Sequence, residues 1–239
     1  MTGYAVRVRG GAGWRKFDSI RLMISVGREY HEGAKLAAAV EWINRNENIK
    51  TVHVSVADTL QRHNLIAYGM NEEKAFRVSQ AEGALWVGRN HETLSGIKAD
   101  CKIRRWNEWL ENPCFTDIHS KLVWFAAEES GLGLLKTIEA DAQGFLQRKT
   151  AGGASAPCSL LAHSQRYIFE ELAVFAMQCA EMPAAEVYPS PQLQASAYLQ
   201  GKALPEGLGG LTTRYMARLD FVRKKDGVLR NPQTAAQVA

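Results

Sequence analysis

Three short segments carry side chains whose types and spacing could perform acyl-transfer chemistry. The first is Ser25-Val26-Gly27-Arg28-Glu29-Tyr30-His31-Glu32-Gly33, which follows the nearly continuous apolar run Ile20 to Val26. A serine at a strand end, ahead of a glycine turn, can expose its hydroxyl to a crevice. Backbone N–H groups of the turn and of the next helix start can then face developing negative charge. Ser25 is therefore a candidate nucleophile, with a turn-capping serine as the plainer alternative. The second segment is Tyr167-Ile168-Phe169-Glu170-Glu171. Tyr167 and Glu171 stand four apart and share one helix face, which also carries Ser164. A carboxylate on a mostly apolar face needs a partner, and with the phenol it could hold a substrate ammonium. A buried or exposed ion pair would explain the same spacing. The third is Val187-Tyr188-Pro189, where a tyrosine at a strand end can project its hydroxyl toward the crevice that holds Ser25; a packed aromatic is the alternative.

Positioning these groups requires an α/β architecture. Tyr4, Val6 and Val8 alternate as a first strand, and Ile20 to Val26 reads as a buried parallel strand. A helix is predicted over 33–46, with Leu36, Val40 and Ile43 on one face, and a strand over Thr51 to Ala57 ends at Asp58. Further along, the pattern predicts a helix over 71–87, a loop over 91–99 and a short amphipathic helix over 103–110. Helical pattern then runs over 117–148 with breaks at Gly131 and Gly133, and a long helix over 159–180 follows the loop at 151–157. A strand ends at Tyr188, and a late strand around Tyr215 to Phe221 is placed beside the first. Strands alternating with helices imply a Rossmann-like three-layer sandwich with a mostly parallel sheet. Reactive groups in such sheets gather at the carboxyl ends of the strands, where Ser25, Asp58 and Tyr188 all lie. Residues 1–225 read as a single domain, and 226–239 as a frayed tail.

Several chemistries lose support. Gly201-Lys202 is followed by Ala203 and no glycine precedes Gly201 by five, so a phosphate loop is missing. Gly131-Leu132-Gly133 lacks the third glycine of a dinucleotide fingerprint. Gly153-Ala154-Ser155-Ala156 is not a nucleophile elbow, and His31-Glu32 has Lys35 where a zinc helix needs its second histidine. The sequence thus calls for no ATP, no metal and no cofactor. The 239 residues are 46% hydrophobic, far from a disordered composition, and no apolar run is long enough to span a membrane. Cys101, Cys114, Cys158 and Cys179 lack C-x-x-C spacing and read as reduced, mostly buried thiols. The expectation is a soluble, cytoplasmic monomer. Its net charge of +4 permits a polyanionic partner without demanding one.

Taken in order, these segments resemble the tRNA-dependent cyclodipeptide synthase family. The resemblance runs over residues 20 to 190, most of the chain. It rests on Ile24-Ser25-Val26-Gly27, on Tyr30-His31-Glu32-Gly33-Ala34-Lys35-Leu36, and on Asp58-Thr59-Leu60-Gln61-Arg62-His63-Asn64. Arg105-Trp106-Asn107-Glu108-Trp109-Leu110, the Tyr167…Glu171 helix and Tyr188-Pro189 complete it. The chain departs from the family at Met23, where a glycine is frequent, at Ala173, where a proline is usual, and at Arg28 in place of Asn. With Tyr188-Pro189, the arginine points to the X-Tyr-Pro subfamily.

What the resemblance implies is a fold similar to class I aminoacyl-tRNA synthetase catalytic domains and a ping-pong aminoacyltransferase joining two aminoacyl-tRNAs into a cyclic dipeptide. The amino acids arrive already activated as esters, so no ATP site is needed. Ser25 would carry aminoacyl and then dipeptidyl groups, Glu171 and Tyr167 would hold the substrate ammonium, and Tyr188 would shuttle a proton during ring closure. His31 and the terminal ribose hydroxyl of the substrate are the two candidates for activating Ser25. Met23, Gly27, Arg28 and Asp58 would line the substrate site. Transfer RNA would meet Lys74, Arg77, Arg89, Arg104 and Arg105, although the stretch holding them has a net charge of only +1, against +4 for each of 1–30 and 200–230. The residues alone leave open another serine acyltransferase or esterase on a similar sheet, or a non-catalytic tRNA-binding module.

Overall fold

The computed structural model describes residues 3–9, 12–151, 155–225 and 228–229. In chain order the elements are β1 (Tyr4–Arg9), β2 (Ser19–Ser25), α1 (Gly33–Asn44), β3 (Thr51–Ala57), α2 (Arg62–Ala67), α3 (Glu72–Ser95), β4 (Asp100–Arg105) and α4 (Trp106–Leu110). They continue with α5 (Phe115–Ala127), α6 (Leu132–Thr150), α7 (Leu160–Glu181), β5 (Ala185–Tyr188), α8 (Gln194–Leu199), β6 (Met216–Lys225) and β7 (Val228–Leu229). The sheet runs β1-β6-β5-β2-β3-β4. The inner pairs are parallel; the early and late alternating strands are neighbours, as expected, and β1 joins β6 antiparallel.

The buried run of β2 sorts by strand periodicity. Ile20, Leu22 and Ile24 enter the core beneath α1 and α3, with Leu36, Val40, Ile43 and Trp86. Met23 faces the opposite core, built by α5, α6, α7 and α8 with Trp106, Leu122, Ile138 and Leu172. These are the three layers. Arg21 shares the Met23 face and is buried, yet its guanidinium donates to the carbonyl oxygens of Gln178 (2.9 Å) and Met182 (3.3 Å). Those carbonyls lie at the end of α7, where Gln178 also takes the Met182 N–H, so the charge meets acceptors at the negative end of the helix.

Three sequence expectations change. Residues 91–95 continue α3, because Trp86, Asn90 and Leu94 form one buried stripe at helical spacing and Gly96 follows as the cap. Residues 100–105 form the strand β4, leaving only Trp106–Leu110 helical. That strand lies at the sheet edge beside β3, so its polar sequence and half-exposed Ile103 break the alternation a buried strand would show. Glu108 accepts from the Arg105 N–H at 2.8 Å, which marks the switch from strand to helix. Third, the thiols are not mostly buried: Cys114 and Cys158 are exposed and Cys101 and Cys179 half-buried, all four free. Of the stretch expected to fray, Val228–Leu229 pairs with the end of β6 and the rest lies outside the described residues. No helix among the described residues is long and apolar enough to cross a membrane.

Asp58, just past β3, binds this side of the sheet together. Its carboxylate accepts from the Thr59 N–H (2.7 Å), the Trp106 N–H (3.2 Å) and the Arg105 guanidinium (2.7 Å), and α3 passes over it at Gly83. A Cβ at Gly83 would stand 2.1 Å from an Asp58 carboxylate oxygen, so only glycine allows this approach. Gly83→Ala is expected to cost about 1–3 kcal/mol. Thermal denaturation should read it as a Tm loss of roughly 2–10 °C.

Candidate active site

The side chains of Ser25, Tyr167, Glu171 and Tyr188 meet in one cleft of about 770 Å³ at the carboxyl ends of β2 and β5. The cleft continues between α6, α7 and the segment 190–194. Ser25 is the last residue of β2. Gly27 follows at φ +80°, and the Arg28 N–H bonds back to the Ser25 carbonyl, closing a turn that needs a glycine at its third position. The turn leaves the Ser25 hydroxyl on the cleft floor, 2.8 Å from the Tyr188 hydroxyl. The Tyr30 hydroxyl stands 3.4 Å beyond Tyr188.

His31 does not reach the Ser25 hydroxyl in a base's geometry. Its Nδ1 accepts the backbone N–H of Ser25 at 2.8 Å, which places its ring proton on Nε2. Burial, with the Arg28 charge adding to it, lowers its pKa to about 4, although the Ser25 carbonyl 3.3 Å from Nδ1 favours the protonated ring. The ring is thus neutral at pH 7, and its carbonyl accepts from the Trp86 indole N–H at 3.1 Å. The observed role is to hold the backbone of Ser25. Tyr188 is the group that touches Ser25 Oγ. Burial foremost, with Tyr30 beside it, raises the Tyr188 pKa far above the usual phenol range, so it stays protonated.

The two consecutive carboxylates of α7 face different surroundings. Glu170 is buried and its oxygens accept from Arg62 (bidentate), from His63 at 3.0 Å and from the Trp106 indole at 2.9 Å. Burial alone would raise its pKa, but the His63 and Arg62 hydrogen bonds and the Arg62 charge outweigh burial and hold it at about 2. Glu171 turns into the cleft. Burial pushes it up to about 8, with Arg214 pulling down and Glu186 pushing up. Adjacent carboxyl groups with pKa values driven this far apart are suited to different tasks. Tyr167, one turn back, lines the same cleft, and the Gln61 amide donates to its hydroxyl at 3.4 Å. Burial, then the Glu171 charge, raises its pKa well above the ordinary value.

The remaining sequence candidates divide. Arg28 lines the cleft, and Met23 lines a small annexe to it behind Ser25. Gly27 contributes through its turn. Asp58 is a correction: fully buried and bonded to Arg105, it faces α3 and α4 rather than the cleft. Arg105 is corrected with it, its guanidinium committed to Asp58 and to the Gln80 carbonyl. Arg104 pairs with Glu181 at 2.7 Å and stacks 3.5 Å over Trp109. Lys74, Arg77 and Arg89 are exposed on α3, with Arg77 near Glu73 and Arg89 near Glu32. Sequence reasoning missed Arg148 and Lys149, exposed at the cleft wall from the end of α6, and Glu170 with its partners. The signal for the latter was present in Arg62-His63, inside a segment that was singled out. Among the described residues, no group of His, Cys, Asp and Glu could hold a metal ion.

Residues 13–182 match the family model described as cyclodipeptide synthase. Comparison with curated proteins finds no match. The structure is similar to that of a cyclodipeptide synthase from Fluoribacter dumoffii. There the identity is 21%, the match covers 94% of this chain and 100% of that chain, and the TM-score is 0.79. It is also similar to a cyclodipeptide synthase from Candidatus Glomeribacter gigasporarum bound to Phe-tRNA, at 17% identity, covering 90% and 91% of the two chains with a TM-score of 0.66. A Mycobacterium tuberculosis protein, whose structure relates cyclodipeptide synthetases to type I tRNA synthetases, aligns at 18% identity over 93% of this chain and 94% of that chain, TM-score 0.61.

The depressed pKa of Glu170 makes stability pH-dependent. A carboxylate held below its unfolded value stabilises the fold above about pH 4.5, and that contribution disappears as pH falls toward about 2. Glu170→Gln removes the charge opposite Arg62 and should cost about 3–5 kcal/mol at pH 7. Urea denaturation across pH should show the wild-type acid loss between these values and a flatter profile for the variant.

Proposed function

The chain belongs to the cyclodipeptide synthase family, and from that premise we propose that it joins two aminoacyl-tRNAs into a 2,5-diketopiperazine through acyl groups carried on Ser25. The observation that carries this reading is the contact of Ser25 Oγ with the Tyr188 phenol on the floor of a cleft that also holds Glu171. Arg28 together with Tyr188-Pro189 supports placement in the X-Tyr-Pro subfamily.

Ser25 Oγ attacks the ester carbonyl of the first aminoacyl-tRNA. A C–O bond forms to Ser25 and the bond to the terminal ribose breaks. The serine proton moves to the leaving ribose oxygen, either through the Tyr188 hydroxyl, which accepts one proton and passes on another, or to the ribose directly. Tyr188 remains neutral throughout, as its raised pKa requires. His31 keeps the nucleophile's backbone in place and takes no proton in this scheme.

The bound amino acid presents its ammonium to Glu171 and Tyr167. An α-amino group has an ordinary pKa of about 8, matched to that of Glu171. The carboxylate can therefore take the proton and free the amine, which attacks the ester of the second aminoacyl-tRNA. The C–N bond forms, the amine's proton passes to the departing ribose oxygen, and the second tRNA leaves a dipeptide esterified to Ser25. The new terminal amine then attacks the Ser25 ester, closing the ring and breaking the bond to Ser25; Tyr188 hands its proton to Ser25 Oγ and takes one from the amine.

The RNA needs cations along its path. Arg28, Arg148 and Lys149 stand at the cleft itself, and Phe145 beside them offers a ring for stacking a base. Lys74, Arg77 and Arg89 offer a second exposed set along α3. The Glomeribacter synthase bound to Phe-tRNA supports an aminoacyl-tRNA as the ligand of this fold. We place the enzyme in the cytoplasm, where charged tRNA is found, acting as a monomer.

Two outcomes test this. Ribonuclease treatment should abolish diketopiperazine formation measured by mass spectrometry, whereas retained acyl-transfer activity would favour a tRNA-independent serine acyltransferase. Ser25→Ala should lose both product and covalent adduct, and a variant with unchanged function would favour a non-catalytic tRNA-binding module. The pH–rate profile carries the third expectation. Below about pH 8 the free site holds Glu171 protonated, a poor partner for an ammonium, so kcat/KM should rise with pH toward that value. Glu171→Gln should lose at least about a hundredfold in rate, in keeping with loss of a general base, and should lack that rise.

A further inference from the structure

The annexe behind Ser25 has properties that bear on which amino acid can be carried. It measures about 40 Å³ and opens to the cleft between Ser25, Glu171 and Tyr188 on one side and the segment Pro191, Gln192 and Leu193 on the other, all six lining both spaces. Its apolar walls include Met23, Ile24, Phe175 and Leu193. Its floor is an ion pair. Arg214 donates Nε to Glu186 at 2.9 Å and Nη2 to the other oxygen at 2.5 Å, donates Nη1 to Ser196, and stacks 3.7 Å over the Phe175 ring. Arg214, Glu186 and Ser196 are all buried.

That floor resists deformation. Separating a buried bidentate pair leaves unpaired charge and is strongly destabilising. An apolar wall could shift to admit a larger guest, but the floor cannot retreat at comparable cost. The guanidinium and carboxylate already satisfy each other, so the floor offers no free charge to a guest, and with Glu171 at the mouth taken up by the substrate nitrogen the annexe selects by size. For scale, an apolar cavity of about 150 Å³ accommodates benzene, and a single water needs about 10–15 Å³. A space of about 40 Å³ therefore holds a methyl or hydroxymethyl group as it stands, whereas a branched or aromatic side chain would have to displace its walls.

An acyl group on Ser25 with its nitrogen at Glu171 has one substituent left to place. The open cleft must stay clear for the second ester to approach. The side chain is left with the annexe. Resting on the reading that Ser25 carries an aminoacyl group, we propose that the first substrate of this enzyme is an aminoacyl-tRNA with a small side chain, glycine, alanine or serine. Met23 and the floor formed by Arg214, Glu186 and Ser196 set that limit. The second substrate, seated in the large cleft, is not so restricted.

The test is loading of Ser25, read as the mass of the intact protein after rapid quenching with one charged tRNA at a time. Gly-, Ala- and Ser-tRNA should each give an adduct at least about tenfold faster than Leu- or Phe-tRNA, since a single misplaced methylene already discriminates by that much. Met23→Ala, which removes a wall and leaves the ion pair intact, should raise loading from Leu-tRNA by about tenfold or more. Wild-type loading by Leu or Phe at rates comparable to Ala would overturn the size limit while leaving covalent catalysis at Ser25 standing. A soluble, folded Met23→Ala protein with no gain for Leu would remove Met23 from the role. Absence of any adduct with all five would instead overturn the covalent reading on which the proposal rests.

Discussion

A carboxylate buried inside a protein must be fully bonded or be absent, and Glu170 shows how much of this structure depends on meeting that requirement. Its two oxygens take hydrogen bonds from Arg62 and His63, just after β3, and from Trp106, just after β4. One side chain of α7 therefore ties that helix to the ends of two strands. Asp58 ties the same strand ends to each other through Arg105 and the Trp106 N–H. The position of α7 above the sheet follows from these bonds, and Tyr167 and Glu171 are placed by α7. The apolar contacts of Leu172, Phe175 and Ala176 supply the burial, but they alone would allow the helix to slide or turn.

The next residue in the chain shows the complementary use of burial. A rotation of about 100° along the helix takes the side chain from Glu170 to Glu171. The first meets a dense set of donors and is ionised under all ordinary conditions. The second meets the cleft and stays protonated until about pH 8. Glu170 is thus a fastening and Glu171 a group able to exchange a proton with an amine. The chemistry of the cleft follows from this contrast, since the free enzyme holds a carboxyl close to the pKa of the ammonium it would receive.

Much of the fold could be read along the chain because local periodicity records which faces are buried. The β2 run, the pairing of the first strand with the late strand and the extent of α7 all appear in the pattern. The strand β4 did not, because an edge strand has solvent on one side and carries Lys102, Arg104 and Arg105 without alternation. The end of α3 was missed because its polar residues 91–93 hide a stripe that only Trp86, Asn90 and Leu94 define. Among chemical groups, Arg105 and Arg104 read as surface cations for RNA. Both have partners within the protein, Arg105 in the buried Asp58 and Arg104 in Glu181, and nothing in the order of residues showed these pairings.

The sequence by itself determined the types of reacting groups and their distribution over strand ends and one helix face, because strand and helix periods place residues near in the chain. It also carried the motifs by which the family is recognised. Only the tertiary structure decided which groups touch. Ser25 and Tyr188 are 163 positions apart and come within 2.8 Å because β2 and β5 are neighbours in the sheet. It alone decided that His31 holds a backbone N–H rather than the serine hydroxyl. It decided also that Glu170 and Glu171 titrate far apart and that Arg214 closes the space behind the nucleophile. Each of these depends on desolvation and on partners distant in the chain, and electrostatic interactions of that kind leave no periodic trace in the order of residues.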